Sequence, residues 1–154
     1  MIIQVDSREQ KFDHVTRYFD SQGIKWVKSK CVVGDYVNLE NPMVVIDRKK
    51  DLQEVAGNVC QQHERFVREL ELAKELGYKM IILVEDPNIT ALPKVCSWYN
   101  WRSKKNPKAV SGKTLYKIMS TCFRIGQEIQ GSAVRIFTLS DSLFLDMIGN
   151  LVNI

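Results

Sequence analysis

Residues 34–49 hold two short runs rich in β-branched residues, on either side of a turn signal at Asn41-Pro42. This pattern is typical of a β-hairpin. Each run carries an acid, with Asp35 near the start of the first run and Asp47 near the end of the second. Because those two ends lie side by side in an antiparallel pair, the sequence predicts that the two carboxylates meet at one end of the hairpin.

A lysine accompanies these two acids. Side chains alternate between the faces of a strand, so Lys49 should share a face with Asp47, while Arg48 takes the other face. Mg²⁺ binds through one or two carboxylates together with water and phosphate, and a lysine beside it could orient or deprotonate an attacking water. The plainer interpretation is that Asp35 closes a turn, and that Asp47 and Lys49 form an exposed ion pair.

The composition narrows the class of protein. A chain of 154 residues is long enough for one domain with a sizeable core. The net charge of +4 indicates a mild preference for binding polyanions. Four cysteines without a C-x-x-C pair, and only two histidines, argue against a zinc site and a disulfide framework. No charged leader or long apolar run is present, so we expect a soluble, cytoplasmic protein without a membrane contact.

The N-terminal part predicts further strands and a helix around the hairpin. Residues 1–5 form an apolar run that ends at a polar segment with Asp6 and Glu9. Polar side chains just beyond a strand end are where α/β proteins place working groups, although a helix-capping turn would look similar. Apolar spacing predicts a helix over 11–22, and alternation predicts a strand over 24–30. With the hairpin, that strand would form an antiparallel meander.

The middle of the chain predicts a long helix and then a buried strand. Between residues 51 and 73, apolar residues recur at intervals of three and four, with Gly57 as a point of bending and Gly77 as the end of the helix. His63 falls within this stripe, so we expect it to be half-buried. His14 lies off the apolar face of its own helix, so we expect it at the surface. Residues 78–85 are almost continuously apolar, as in a strand covered on both faces.

Residues 86–113 combine three prolines with aromatic and basic side chains, without helical or strand periodicity. Long connections of this kind are usually functional or mobile. The aromatic residues are Trp98, Tyr99 and Trp101, and the basic ones are Arg102, Lys104, Lys105, Lys108 and Lys113. This composition favours a flap that holds DNA, with phosphates on the cations and an unpaired base on an aromatic ring. The alternative is a surface loop whose tryptophans tuck back onto the core.

The C-terminal part predicts a helix over 112–130, a strand over 133–139 and a final helix over 140–152. We therefore expect a single domain over 1–154, with a core at 1–85, the basic and aromatic loop at 86–113 and an extension at 112–154. The apolar faces of the two helices would either cover the sheet or pair two copies of the chain, so a homodimer is one expectation.

Three short motifs carry a resemblance to a known family. They are Val5-Asp6-Ser7-Arg8-Glu9, Gly34-Asp35-Tyr36 and Val45-Ile46-Asp47-Arg48-Lys49. In this order they resemble the V-D-x-R-E strand end, the Gly-Asp element and the E-R-K triplet of the XPF family of structure-specific endonucleases, a branch of the PD-(D/E)xK superfamily. The resemblance covers about residues 1–85 and looks like the small bacterial and phage versions.

The resemblance implies an α/β protein with a three-layer α/β/α restriction-endonuclease-like fold and a mixed central sheet. It also implies an endonuclease that cuts branched or flapped DNA with Mg²⁺ or Mn²⁺. Asp35 and Asp47 would be metal ligands, Lys49 would position the water, and Asp6 and Glu9 would help to hold the metal or the lysine. The residues expected to contact DNA are Arg8, Arg48, Arg65, Arg68, Trp101, Arg102, Lys104, Lys105 and Lys108.

The chain departs from the family pattern in three ways. Asp47 stands where the family usually has a glutamate. An acid expected shortly after the lysine is replaced by Gln53, with Asp51 and Glu54 beside it as substitutes. We also expect no tandem helix-hairpin-helix module of the kind that many relatives use to bind duplex DNA.

Two other functions fit the same residues. The chain could be a non-catalytic DNA-binding or scaffold subunit with a relic nuclease site, since nuclease families often keep inactive partners. It could also be a protein-interaction module that needs no metal. Metal-dependent cleavage of branched DNA would identify the enzyme, and a lack of DNA binding at low salt would identify the interaction module.

Overall fold

The computed structural model describes residues 1–86, 88–89 and 91–120, and the backbone of a strand at 135–139. The strands are β1 (Ile2–Asp6), β2 (Lys25–Ser29), β3 (Tyr36–Asn38), β4 (Asn41–Lys49), β5 (Lys79–Glu85) and β6 (Arg135–Leu139). The helices are α1 (Asp13–Ser21), α2 (Leu52–Cys60) and α3 (His63–Glu75), and residues 112–120 are also helical. The strands form one mixed sheet in the order β2-β1-β3-β4-β5-β6.

Helices cover both faces of this sheet. On one face, α1 packs Val15 and Phe19 into a cluster that includes Ile81 and Leu83 of β5. On the other face, α2, α3 and helix 112–120 pack against Ile82 and Val84, the alternate residues of the same strand. Because β5 is covered on both sides, its nearly continuous apolar sequence is explained. The predicted three-layer fold with a mixed central sheet is confirmed.

The predicted hairpin is confirmed, since β3 and β4 pair in antiparallel fashion. Its turn, however, lies at Leu39-Glu40 rather than at Asn41-Pro42, which open β4. The Asn38 side-chain oxygen accepts a hydrogen bond from the Glu40 amide at 3.0 Å. An asparagine that bonds the backbone two residues on makes a turn of its own, and here it places the reversal before the proline.

The predicted antiparallel meander of strand 24–30 with the hairpin is wrong. Strand β2 lies at the edge of the sheet and pairs with β1 in parallel, while β3 pairs with the other side of β1 in antiparallel fashion. The reason is the intervening helix α1, because a strand–helix–strand unit returns the chain in parallel to its first strand. The alternation of side chains identifies a strand but not its neighbour.

The long helix that was predicted to begin at Asp51 and to end at Gly77 is two helices. The amides of Gln61 and Gln62 both donate to the carbonyl of Gly57, at 2.9 and 3.0 Å, which ends α2 before α3 begins. His63, the first residue of α3, is exposed, so the prediction that it is half-buried is wrong. The change of direction between the two helices moves this position out of the apolar stripe.

Segment 86–113 has local structure that its sequence did not predict. It contains two 3₁₀ helices, Leu92–Ser97 and Trp101–Lys104. Val95 is fully buried and Trp98 packs against the core, whereas Trp101 is 58% exposed. Trp98 therefore agrees with the alternative in which the tryptophans pack on the core. Trp101 does not, and its ring stays exposed.

The C-terminal predictions are only partly covered by the structure. Helix 112–120 and strand β6 agree with the predicted helix and strand, while residues 121–130 and the helix expected at 140–152 lie outside the described residues. Within the described part of the chain, none of the helices has the length and apolar character that crossing a membrane requires.

Candidate active site

A cleft of about 240 Å³ opens at the end of the hairpin, between the segment that follows β1 and helices α2 and α3. We refer to it as the hairpin cleft. Seven of the residues predicted from the sequence line it, namely Arg8, Glu9, Asp35, Asp47, Arg48, Lys49 and Arg65. The fold therefore brings together groups from four separate elements of the chain.

The two aspartates meet at the end of the hairpin. Tyr36 of β3 pairs with Ile46 of β4, and one further step of this register sets Asp35 beside Asp47. The Asp35 amide donates to the Ile46 carbonyl at 2.7 Å, and Asp35 Oδ2 accepts from the Arg48 amide at 2.7 Å. The backbone of β4 thus fixes both the position of Asp35 and the direction of its side chain.

Gly34 allows this close approach. Its φ of +68° lies in the left-handed region, which glycine adopts at little cost. A Cβ atom at this position would lie 3.0 Å from the Ile46 carbonyl oxygen. The Gly-Asp pair in the sequence is therefore a structural requirement, since a larger residue would push Asp35 away from β4.

Asp35 is half-buried, and other carboxylates lie close to it. Burial raises the pKa of its carboxyl group, and the neighbouring carboxylates of Asp47 and Glu9 raise it further, to about 9. The Lys49 ammonium and the Arg48 amide oppose this rise without cancelling it. A further positive charge close to Asp35 would stabilise its ionised form.

Lys49 is held by Asp47. Its Nζ atom lies 2.8 Å from both carboxylate oxygens of Asp47 and 5.8 Å from the centroid of the Phe66 ring. Burial alone would lower the pKa of Lys49, but the Asp47 carboxylate raises it above its ordinary value. Lys49 is therefore a buried ammonium group at neutral pH, suited to donate hydrogen bonds into the cleft.

Asp6 lies beside the hairpin cleft and holds Arg8 in position. Arg8 Nε and Nη2 donate to its two oxygens at 2.8 and 2.9 Å, and the Arg8 and Cys31 amides each donate at 2.7 Å. Burial would raise the pKa of Asp6, but these hydrogen bonds from Arg8 and Cys31 lower it to about 2. Asp6 does not line the hairpin cleft, whereas Arg8 does.

A chain of charged groups runs from the cleft to helix α1. Arg48 Nη1 lies 2.6 Å from Glu9 Oε1, Arg48 Nε donates to Glu85 Oε2 at 2.8 Å, and His14 Nε2 lies 2.7 Å from Glu85 Oε1. The prediction that His14 is a solvated surface residue is wrong, since it contacts this buried acid. Arg48, predicted to contact DNA, is 8% exposed and forms ion pairs with Glu9 and Glu85.

The remaining predicted DNA contacts lie in different places. Arg68 is exposed on α3 and does not line the hairpin cleft. Trp101, Arg102, Lys105 and Lys108 line a second cleft on the far side of α2. Lys104 is exposed on the same segment and lines neither cleft.

The hairpin cleft also contains Glu54, which the sequence offered as a substitute acid, and three polar residues that were absent from the predicted site. They are Asn58, Gln62 and Glu69. Glu54, Asn58 and Gln62 are spaced four residues apart, so they form one row along α2 and its end. This spacing was visible in the sequence, and a search for polar residues at helical intervals after Lys49 would have found the row.

Asp35 and Asp47 are the residues that could hold a metal ion. Among the described residues, no group of three or more aspartate, glutamate, histidine or cysteine side chains has a metal-binding arrangement. Two carboxylates are nevertheless a donor set that fits Mg²⁺, which completes its shell with water and phosphate.

Comparison with known proteins places the chain in a family. The sequence model of the ERCC4 domain matches residues 5–143, which is most of the chain. The chain belongs to the ERCC4 domain family, the family of the XPF nucleases. No curated protein matches this ERCC4 domain.

Two solved structures resemble the fold of this ERCC4 domain. XPF from Aeropyrum pernix matches with a TM-score of 0.65 and 19% identity over 98% of this chain. The same protein in complex with DNA matches with a TM-score of 0.61 and 19% identity over 99% of this chain. In both cases the chain spans 64% of the length of the Aeropyrum pernix chain.

Proposed function

We propose that this ERCC4 domain is an endonuclease that hydrolyses phosphodiester bonds in branched or flapped DNA, with Mg²⁺ or Mn²⁺ bound by Asp35 and Asp47. The observation that carries the proposal is the meeting of Asp35, Asp47 and Lys49 in the hairpin cleft. Membership of the family of the XPF nucleases supports it. The structure of an Aeropyrum pernix XPF bound to DNA supports DNA as the partner.

When bound, a divalent cation supplies Lewis-acid stabilisation of the phosphoryl oxygens and lowers the pKa of water. The chain would supply the positioning. Asp35 is pinned by the Arg48 amide, and Asp47 by Lys49, so both carboxylates are held before substrate arrives. Groups fixed in this way need no reorganisation at the moment of reaction.

Lys49 would act as a cation rather than as a base. Its ammonium group can donate to the attacking water or to a phosphate oxygen, and it balances the charge that develops there. Arg8 and Arg65 line the same cleft and offer guanidinium groups to the phosphates on either side of the cut. Glu9 and Arg48 would keep the floor of the cleft in place through their ion pair.

The test is cleavage of a panel of labelled DNAs by the whole chain. The panel contains a flap, a fork, a four-way junction, a blunt duplex and a single strand, each with Mg²⁺, Mn²⁺ or EDTA. We expect cleavage of branched substrates with either metal and none in EDTA or with Asp47→Asn. Binding without cleavage under every condition would point to the non-catalytic DNA-binding subunit instead.

A further inference from the structure

A second cleft, of about 380 Å³, lies between α2 and the segment 100–110. We refer to it as the Trp101 cleft. Its lining combines one exposed aromatic ring with cations and side-chain amides, supplied by Trp101, Arg102, Lys105, Lys108, Gln53 and Gln61. None of these residues lines the hairpin cleft.

The wall that carries Trp101 is held in place by the core. Asn100 is only 5% exposed; its Oδ1 accepts from the Arg102 amide at 3.1 Å and its Nδ2 donates to the Val110 carbonyl at 2.9 Å. Gly112 closes the segment where a Cβ would come within 2.5 Å of the Val95 and Trp98 carbonyl oxygens. The Trp101 ring therefore projects from a fixed platform.

The Trp101 cleft connects with the hairpin cleft across α2. A shallow groove between them shares Glu54, Asn58 and Gln62 with the hairpin cleft. The same groove shares Trp101 and Arg102 with the Trp101 cleft. A strand that leaves the hairpin cleft can thus follow one polar path over α2 to the tryptophan.

We propose that the Trp101 cleft binds an unpaired stretch of the DNA strand that continues from the hairpin cleft. One base stacks on Trp101, and the phosphates beside it lie near Arg102, Lys105 and Lys108. That the bound strand continues from the site of cleavage rests on the function proposed above. That the Trp101 cleft binds an unpaired strand does not depend on that function.

The chemistry of the lining favours an unpaired strand over a duplex. Trp101 is 58% exposed, and the Arg102 guanidinium lies 5.7 Å from its ring centroid, which steadies the ring by a cation–π contact. A ring presented in this way can accept the face of a base, but the bases of a duplex already stack on each other. Basic grooves with stacking aromatics are the common design of single-strand binding sites.

The decisive variant is Trp101→Ala, measured by binding in EDTA so that cleavage plays no part. Fluorescence anisotropy would follow labelled oligo(dT) of 20 nucleotides, a fork with dT arms and a blunt duplex. Loss of one stacked base lowers affinity about 5- to 150-fold, so we expect this loss for oligo(dT) and for the fork. The blunt duplex should change less than 2-fold.

Three further variants make the result specific. Tyr99→Ala removes an aromatic ring that is 61% exposed but lies outside both clefts, and it should leave affinity unchanged. Trp101→Phe should restore most of the affinity for oligo(dT). A Cβ at Gly57 meets no atom within 4 Å, so Gly57→Leu should fold yet obstruct the groove and weaken binding of the fork.

The cations are tested by salt dependence. Each phosphate contact of a single strand contributes about 0.7 to the slope of log affinity against log salt, so alanine at Arg102, Lys105 and Lys108 together should flatten the slope for oligo(dT) by about 2. Lys113 is exposed and lies outside the Trp101 cleft, so Lys113→Ala is a single-charge control that should leave the slope unchanged. Equal losses for fork and duplex, or no loss with Trp101→Ala, would overturn the proposal. Failure of wild type to cut DNA, with Trp101-dependent binding intact, would contradict only the nuclease function.

Discussion

The amide of Arg48 donates to the carboxylate of Asp35 at 2.7 Å, across the end of the hairpin. Three consecutive residues of β4 therefore contribute to the hairpin cleft. Asp47 supplies a carboxylate, the Arg48 backbone orients the carboxylate of Asp35, and Lys49 supplies the ammonium group. This arrangement depends on the antiparallel register, because a slip by one residue would turn every side chain of β4 to the opposite face.

Loss of any of the three functional groups should abolish cleavage while the fold remains. We expect Asp35→Asn, Asp47→Asn and Lys49→Met to lower the rate of DNA cleavage by about 100-fold or more, since each removes several kcal/mol of stabilisation from the transition state. Methionine keeps the apolar stem of Lys49 against Phe66. Single-turnover cleavage at saturating DNA measures the rate, and circular dichroism checks the fold.

The control for these variants is Asp13→Asn, because Asp13 is exposed on α1 and away from the hairpin cleft. It should cut at the wild-type rate. Wild-type rates in Asp35→Asn and Asp47→Asn as well would show that the hairpin cleft is not where cleavage takes place.

The metal-free protein should lose stability as the pH rises. The folded pKa of Asp35 is raised to about 9, mainly by burial and then by Asp47 and Glu9, from 3.8. Between these two values the unfolded chain binds fewer protons than the folded one, so the free energy of unfolding falls with increasing pH. Melting temperatures in EDTA from pH 5 to 9 should show this decline, and Asp35→Asn should flatten it.

Asp13→Asn again provides the comparison, since it removes an exposed aspartate and should leave the slope of stability against pH as in wild type. If Asp35→Asn and wild type lose the same stability over this range, another group is responsible for the pH dependence.

Glu54 should matter more for the rate than Asp51. Asp51 caps α2, with its Oδ1 accepting from the Glu54 amide at 2.7 Å, while Glu54 Oε2 accepts from the Lys50 amide at 3.0 Å and lines the hairpin cleft. Glu54→Gln keeps an acceptor for the Lys50 amide, so any loss of rate reflects lost charge in the cleft. We expect about a 10-fold slower cleavage with Glu54→Gln.

Asp51→Asn is the counterpart, because asparagine also caps helices well. It should retain the rate to within about 2-fold. The comparison requires matched stability, measured by urea unfolding. If Asp51→Asn slowed cleavage more than Glu54→Gln, then Asp51, and not Glu54, would take the place of the family acid that is missing at Gln53.

Local patterns in the sequence predicted much of what positions the site. The hairpin depends on alternation and on Gly34, which act between near neighbours, so the meeting of Asp35 and Asp47 was predicted even though the turn lies at Leu39-Glu40 rather than at Asn41-Pro42. Likewise, the continuous apolar run at 78–85 identified a strand buried on both faces. Such features are set by the chain within a few residues, and sequence alone can describe them.

Other features depend on partners far along the chain. The contact of His14 with Glu85 joins residues 71 positions apart, and helical periodicity assigned His14 to the surface because it considers only one helix. The parallel pairing of β2 with β1 depends on the crossover through α1, which the alternation of side chains within β2 does not show. The division of roles between Trp98 and Trp101 depends on where the core ends, which aromatic composition does not show.

The ion pairs of Arg48 should contribute to stability more than to DNA binding. Arg48 is buried between Glu9 and Glu85, and its pKa is raised: burial would lower it, but the hydrogen bonds to Glu85 and Glu9 outweigh this. Arg48→Ala would leave two partly buried carboxylates without their cation, which costs about 3–5 kcal/mol in comparable pairs. Urea unfolding at pH 7 measures this loss. Adding Glu9→Gln and Glu85→Gln to Arg48→Ala should recover part of it, because the unpaired charges are then removed.

An exposed arginine serves as the matched comparison. Arg17 lies on the surface of α1, and Arg17→Ala should change the free energy of unfolding by less than about 0.5 kcal/mol. The salt dependence of DNA binding separates the two roles of Arg48. A side chain that neutralises a phosphate contributes about 0.9 to the slope on duplex DNA, whereas one engaged with Glu9 and Glu85 contributes little. An unchanged stability of Arg48→Ala, together with a slope reduced by about one, would show that Arg48 contacts DNA as the sequence predicted and that its ion pairs are incidental.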